Sequence, residues 1–203
     1  MFYVFEGVDG SGKSTQARRL KEHLERAAIV PVVEVREPGG TALGESVREI
    51  LLDPHSGDLS AEVEVFLFMA ARAHLCRTTI APALDEGRII VADRFLWSSV
   101  VYQGTAGGMK EGDVLELGRI ATHSLEPSCI FVIDIDPEVA LGRLSSHDRM
   151  ERRGVEFQRR VRQGYVSLVE QFPERSYLVD GGGSPDEVHR RVLGALAART
   201  RKG

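Results

Sequence analysis

Residues 4–16 read VFEGVDGSGKSTQ, and within them Gly7, Gly12, Lys13 and Ser14 hold the spacing G-x-x-x-x-G-K-S. Placed after a strand-like apolar run and before a helical stretch, that spacing makes a phosphate cradle. Glycines let the backbone wrap so that N–H groups face an anion, and the helix N-terminus adds positive potential. The candidate ATP loop is therefore Gly7, Val8, Asp9, Gly10, Ser11, Gly12, Lys13, Ser14 and Thr15. Lys13 would reach the β/γ-phosphates and Ser14 would ligate Mg²⁺. Asp9 is the anomaly, an acid inside a loop built for anions.

Such a site also needs a carboxylate near the metal, usually at the end of an apolar strand. Asp93 in RIIVADR is one candidate; Asp134 or Asp136 in IFVIDIDP is the other. Asp136 is accounted for as the cap before Pro137, and Asp134 fits a satisfied strand-end acid. Asp93 is favoured because Arg94 follows it, setting a phosphate-binding fork beside a metal-side carboxylate. Further on, RLSSHDRMERRG (143–154) gathers Arg143, Arg149, Arg152 and Arg153 among Ser, His and Gly. Alone it also admits the reading of a solvated charged loop. Beside a phosphate loop it reads as a mobile cover that excludes water and neutralises a transferring phosphoryl group.

Three classes of phosphate-loop protein compete. A GTPase switch needs Asn-Lys-x-Asp to read its base, and this chain has no asparagine. A nucleic-acid motor would be larger and more basic than 203 residues with a net charge of −4. A small-molecule kinase fits both the size and the arginine-rich cover. The two cysteines, Cys76 and Cys129, read as buried free thiols rather than a disulfide or a zinc site. The first residues, MFYVFEG, lack the features of a signal peptide, and no apolar run reaches the ~18 residues of a membrane helix. The expectation is a cytoplasmic protein without a nucleic-acid or membrane partner.

The elements that must position these residues alternate. Apolar runs at 2–5, 30–35, 88–93, 129–135 and 176–179 are separated by stretches of helical period, such as Phe157, Val161, Tyr165 and Leu168. Strand–helix alternation implies a parallel sheet covered on both faces. SPDE (184–187) and Asp136-Pro137 read as helix starts. Pro82 is expected to break or kink the long helix that begins near Ala61, and Gly87 to end it.

Five pieces in order, FEGVDGSGKST, REPGGT (36–41), FLFMAAR (66–72), ADRFLWSSVVYQG (92–104) and DRMERRGVEF (148–157), resemble the thymidylate kinase (dTMP kinase) family. The resemblance implies an α/β fold with a five-stranded parallel sheet, a single domain over 1–203 and a lid at about 143–157. It implies phosphorylation of dTMP to dTDP by ATP and Mg²⁺, and a homodimer. A kinase for another nucleotide or a deoxynucleoside is the alternative within enzymes, and an ATP-binding regulator the alternative outside them. By resemblance Phe68 stacks on the thymine and Arg72, one helical turn on, bonds its edge. Arg48 holds the acceptor phosphate, Arg94 bridges the acceptor and γ-phosphates, Ser99 and Gln103 contact the pyrimidine, and Tyr102 crowds C2′. Glu37 either positions water or metal near the phosphates or is a structural loop acid. Asp9 serves the acceptor's 3′-hydroxyl or the metal, and Arg143 the ATP. Some relatives carry an arginine where this chain has Gly10, so the lid arginines Arg149, Arg152 and Arg153 must supply that charge. Phe95, where Tyr or His is usual, and Trp97 depart from the family pattern, and Ser99 stands where some relatives have Asn.

Overall fold

The computed structural model describes residues 1–27, 30–144 and 153–200; Arg149 and Arg152 lie outside them. Five strands, β1 (Phe2–Glu6), β2 (Val32–Arg36), β3 (Ile89–Asp93), β4 (Cys129–Asp134) and β5 (Ser176–Asp180), form one sheet in the order β2-β3-β1-β4-β5. Every pairing is parallel. Both faces are covered, and the side-chain alternation shows how. Phe2 and Val4 of β1, Ile90 and Ala92 of β3, and Ile130 and Val132 of β4 enter one core. Tyr3 and Phe5, Ile89 and Val91, and Cys129, Phe131 and Ile133 enter the other. A strand buried on both sides must be apolar throughout, which is why these runs carry no polar alternation.

The second core is closed by α1 (Lys13–Ala27) and α9 (Pro185–Thr200). The first is closed by α3 (Ala61–Leu75), α6 (Glu111–Ala121) and α8 (Gly154–Gln171). Ser184 and Glu187 cap α9 reciprocally, the Ser184 hydroxyl accepting from the Glu187 N–H and the Glu187 carboxylate from the Ser184 N–H. Thr41 caps α2 (Ala42–Leu52), and Asp136 caps the helix that the sequence places after it, α7 (Pro137–Leu141), its carboxylate accepting from the Glu138 N–H.

Pro82 does not break its helix. After α3 the chain enters a π-helical turn, Cys76–Ile80, and continues as α4 (Ala81–Asp85) with Pro82 in its first turn. The Ala81 N–H bonds the Cys76 carbonyl five residues back, so the widened turn shifts the bonding register just where Pro82 brings no N–H. Gly87, at φ +74°, then ends the helix: its N–H bonds Leu84 and the Arg88 N–H bonds Ala83. A second π-helical turn, Val100–Thr105, follows α5 (Leu96–Ser99) and carries Tyr102 and Gln103. The C-terminal ends of β1 and β3 lie in register, Phe5 beside Asp93, so the phosphate loop and Asp93-Arg94 emerge side by side.

Candidate active site

The loop from Gly7 to Gly12 leaves β1, and Lys13 is the first residue of α1, with Ser14 exposed and Thr15 half-buried behind it. Val8 is buried in the core and anchors the loop. The Ser11 N–H bonds the Val8 carbonyl, while the Ser11 hydroxyl is buried without a protein partner. Gly10 sits at φ +77°, and a Cβ there would stand 2.1 Å from the Ala140 carbonyl of α7 (Pro137–Leu141). The fold as it stands thus has no room for any side chain at position 10. Arg143 lies just beyond α7, its Nη1 3.5 Å from the Gly10 carbonyl.

Asp9 turns out to be a hub. Its Oδ1 accepts from Arg94 Nη2 and, at 3.4 Å, from Lys13 Nζ; its Oδ2 accepts from the Tyr102 hydroxyl at 3.0 Å. Burial works to raise the Asp9 pKa, but Arg94, then Lys13 and the Tyr102 hydroxyl, outweigh it and hold the carboxyl well below its usual range. Arg94 itself has φ +72°, unusual for a side-chain-bearing residue, with its N–H held by the Phe5 carbonyl. Its Nη1 donates to Ser98 Oγ at 2.8 Å and to the Tyr165 hydroxyl at 3.3 Å, and the guanidinium lies 5.0 Å over the Tyr102 ring. Behind it, Glu6 is fully buried and accepts from the Phe95 and Ser98 N–H groups, the Ser98 hydroxyl and the Tyr165 hydroxyl. Burial raises the Glu6 pKa against the pull of Arg94.

Asp93 is buried at the end of β3, with Oδ1 lacking a protein partner, and Ser14 lines the same cleft. These hard oxygen donors suit Mg²⁺. Among the described residues no three His, Cys, Asp or Glu side chains cluster as a metal cage, so a cation here would complete its shell with phosphate and water. Asp134 is excluded from that role: it is paired with Arg162 through bonds of 2.6 and 2.8 Å.

The loop opens into a cleft of about 430 Å³. Lys13, Ser14, Asp9, Asp93 and Arg94 border one part of it, and Phe68, Arg72, Ser99, Tyr102 and Gln103 also line it. Phe68 is half-buried and packs on Val47, Leu51 and Ala71, leaving part of its surface for the cleft. Arg48 borders the cleft with Nη1 3.2 Å from the Pro38 carbonyl. Arg72 is buried, and its donors are engaged: Nε and Nη2 with Glu37, Nη2 with the Phe95 carbonyl, Nη1 with Ser99 Oγ at 3.1 Å and the Met69 sulfur at 3.2 Å. The thioether is the weakest of these acceptors. Glu37 is thereby tied to Arg72 by one oxygen; its other oxygen is buried without a partner, and burial raises its pKa.

A scan of the sequence against family models matches that of thymidylate kinase over residues 5–192. The chain belongs to the thymidylate kinase family. A thymidylate kinase of Symbiobacterium thermophilum is 45% identical over 194 residues, covering 95% of this chain and 90% of that one. One of Chlorobaculum parvum is 41% identical, covering 98% and 96%. The crystal structure of thymidylate kinase from Ehrlichia chaffeensis superposes with a TM-score of 0.79 at 33% identity, covering 97% of this chain and 98% of that chain. The five-stranded parallel sheet expected from the sequence is the fold of the family.

Two residues that depart from the family pattern have structural places. Phe95 is buried edge-on to Phe2, with ring centroids 5.0 Å apart, and serves the site through its backbone. Trp97 is buried against Phe172 and fills core. Arg153, at the start of α8, is not brought to the phosphate loop: it pairs with Glu64 of α3 and lies 4.8 Å over the Phe157 ring. Sequence reasoning missed Glu6, Ser98, Tyr165 and Glu64. Glu6 carried a signal, an ionisable residue ending an otherwise apolar strand; Tyr165 was hidden inside the apolar period of α8.

Proposed function

We propose that this cleft transfers the γ-phosphoryl group of ATP to the 5′-phosphate of dTMP, giving dTDP and ADP. Family membership carries the reaction. The observation that carries its location is the arrangement of the cleft, with Lys13 and Arg94 beside the phosphate loop and Phe68 and Gln103 in the same wall. ATP lies on residues 7–15 with Arg143 at the rim, and Ser14 and Asp93 hold Mg²⁺, Asp93 directly or through water. The cation supplies charge neutralisation between the phosphates when bound. Lys13 and Arg94 steady the negative oxygens of the transferring group, because phosphoryl transfer depends more on positioning and charge than on acid–base work. Phe68 offers a face for the base, Arg72, Ser99 and Gln103 its polar edge, and Arg48 the acceptor phosphate. Tyr102, held by Asp9 and Arg94, stands where a ribose 2′-hydroxyl would crowd it. Asp9 has one carboxylate oxygen shared by two cations, which leaves its Tyr102-facing oxygen the freer to take an acceptor hydroxyl. Glu37 acts by fixing Arg72. With Gly10 closed to any side chain, the lid arginines Arg149 and Arg152 complete the charge on the phosphates, while Arg153 stays with Glu64.

The chain works as a homodimer in this reading. The support is a run of exposed apolar side chains on neighbouring helices: Ile50 on α2, Val63 and Phe66 on α3 and Ile120 on α6. The two cysteines are buried and outside any disulfide, which suits a cytoplasmic setting. ADP release measured with dTMP, dUMP, dCMP, dGMP and thymidine tests the reaction. Turnover is expected to be highest with dTMP; preference for another acceptor, or ATP binding without ADP release, overturns the assignment. Light scattering of the purified chain tests the dimer.

A further inference from the structure

Glu64 belongs to none of the motifs above, yet it is fully buried within α3, two residues before an exposed phenylalanine and one turn before Phe68. Its two oxygens face two different parts of the site. Oε1 pairs with Arg153, the residue that opens α8. Oε2 accepts from Gln103 Nε2 at 2.9 Å. Gln103 is itself fully buried, sits in the π-helical turn and borders the cleft beside Phe68, Arg72 and Ser99. Its carbonyl oxygen has no protein partner.

These contacts have a chemical consequence. A primary amide presents a donor at one end and an acceptor at the other. A carboxylate accepts and does not donate, so the pair with Glu64 commits the NH₂ end of Gln103. Arg153 holds the carboxylate through its other oxygen. What Gln103 can then turn to the cleft is its carbonyl oxygen. That oxygen is buried, and a buried acceptor without a donor is a group that a ligand N–H can satisfy.

We propose that Glu64 is a specificity-determining positioning residue: by fixing the amide of Gln103 it makes this corner of the pocket an acceptor, matched to a pyrimidine that carries N3–H. Thymine and uracil have that hydrogen; cytosine presents a bare N3 in its place and meets acceptor with acceptor. Discrimination against a mismatched hydrogen-bonding edge is strong because the buried group is left unpaired. The same residue ties the start of α8 to the base pocket through Arg153. The inference rests on the assignment of the cleft to dTMP.

The test is steady-state kinetics with Mg·ATP and dTMP, dUMP or dCMP, for the parent chain and for Glu64→Gln, Gln103→Met and the double variant. A glutamine at 64 can present either end of its own amide, so Gln103 is released to turn. Glu64→Gln is expected to lower the dTMP:dCMP ratio of kcat/KM at least tenfold, mainly through KM for dTMP, with KM for ATP unchanged. The dTMP:dUMP ratio should stay at the parent value, since both bases carry N3–H. On the Gln103→Met background, Glu64→Gln should no longer alter the dTMP:dCMP ratio. An unchanged ratio in Glu64→Gln overturns the proposal, as does an equal loss with and without Gln103, which marks a merely structural role. If Glu64→Gln fails to fold, Glu64→Asp replaces it; the shorter carboxylate withdraws from Gln103, and parent selectivity there overturns the proposal too. A parent chain that does not turn over dTMP at all is a different outcome and removes the underlying assignment instead.

Discussion

Replacing Lys13 by methionine separates what the ammonium does for catalysis from what it does for folding. Methionine keeps an unbranched stem and deletes the charge. The ammonium is held loosely by the protein, 3.3 Å from the Val8 carbonyl and 3.4 Å from Asp9, both longer than the ~2.7–2.9 Å of a strong charge-assisted bond. Burial, then repulsion from Arg94, pulls the Lys13 pKa below that of an ordinary lysine, against the opposing pull of Asp9 and Asp93. The folded chain therefore holds this proton more weakly than the unfolded chain, so near neutral pH the charge opposes folding. Asp9 keeps Arg94 and Tyr102 as partners when Lys13 is gone. Lys13→Met should therefore melt at or above the parent temperature. Turnover should move the other way. One preorganised donor to a developing anion is worth about 2.7–4 kcal/mol, a loss of about 10²–10³ in kcat. ADP release and thermal unfolding on the same preparation measure both. A kcat within about tenfold of the parent refutes the catalytic role. A midpoint lowered by more than about 4 °C, roughly 1–2 kcal/mol in a chain of this size, refutes the reasoning on stability.

Phe68→Ala should weaken dTMP binding by about 1–3 kcal/mol, the worth of one base–aromatic stack, and leave ATP affinity unchanged in calorimetry; equal losses for both ligands contradict it. Arg72→Ala should destabilise the fold by about 3–5 kcal/mol in urea titrations, because Glu37 is left buried without its cation, and Glu37→Gln in the same chain should restore part of the loss. Glu6 gives a pH prediction. Burial raises its folded pKa above 4.5, so between 4.5 and that raised value the folded chain binds more protons than the unfolded one. Stability then falls as pH rises through this window, and Glu6→Gln should flatten that part of the profile of unfolding free energy against pH. An identical profile in the variant contradicts the assignment.

What the sequence discloses and what it hides divide along a physical line. The phosphate loop, the helix starts at Asp136 and Ser184 and the stop at Gly87 are legible because each is a local backbone requirement written within a few residues. The central strands β1, β3 and β4 are legible because burial on both faces leaves almost only apolar choices. Arg72 and Phe68 could be paired from their spacing on one helix, but nothing local says that Arg72 is bonded to Glu37, thirty-five positions away. Glu6 meets Ser98 and Tyr165 across separations of 92 and 159 residues, which only the sheet order creates. The π-helical turns escape for a different reason. Their cause at Pro82 is a missing N–H that the chain absorbs upstream, so a breaker signal produces a widened turn and not an end.

The acid in the phosphate loop is explained by what the cations would face without it. In the proposed reaction Lys13 and Arg94 both serve phosphate oxygens, and after burial it is Arg94 that most depresses the Lys13 pKa. Asp9 touches both, and its second oxygen takes the Tyr102 hydroxyl. Arg94 is thereby held from two sides, by Asp9 through Nη2 and by Ser98 and Tyr165 through Nη1, while its backbone keeps a left-handed φ. A guanidinium fixed in this way need not reorganise when an anion arrives, which is the condition under which a charge lowers a barrier most effectively. An alanine at position 9 would leave two buried cations to repel each other and one fewer bond to orient Arg94. The carboxylate does not compete with the purpose of the loop; it keeps the loop's cations close together and aimed before the phosphates bind.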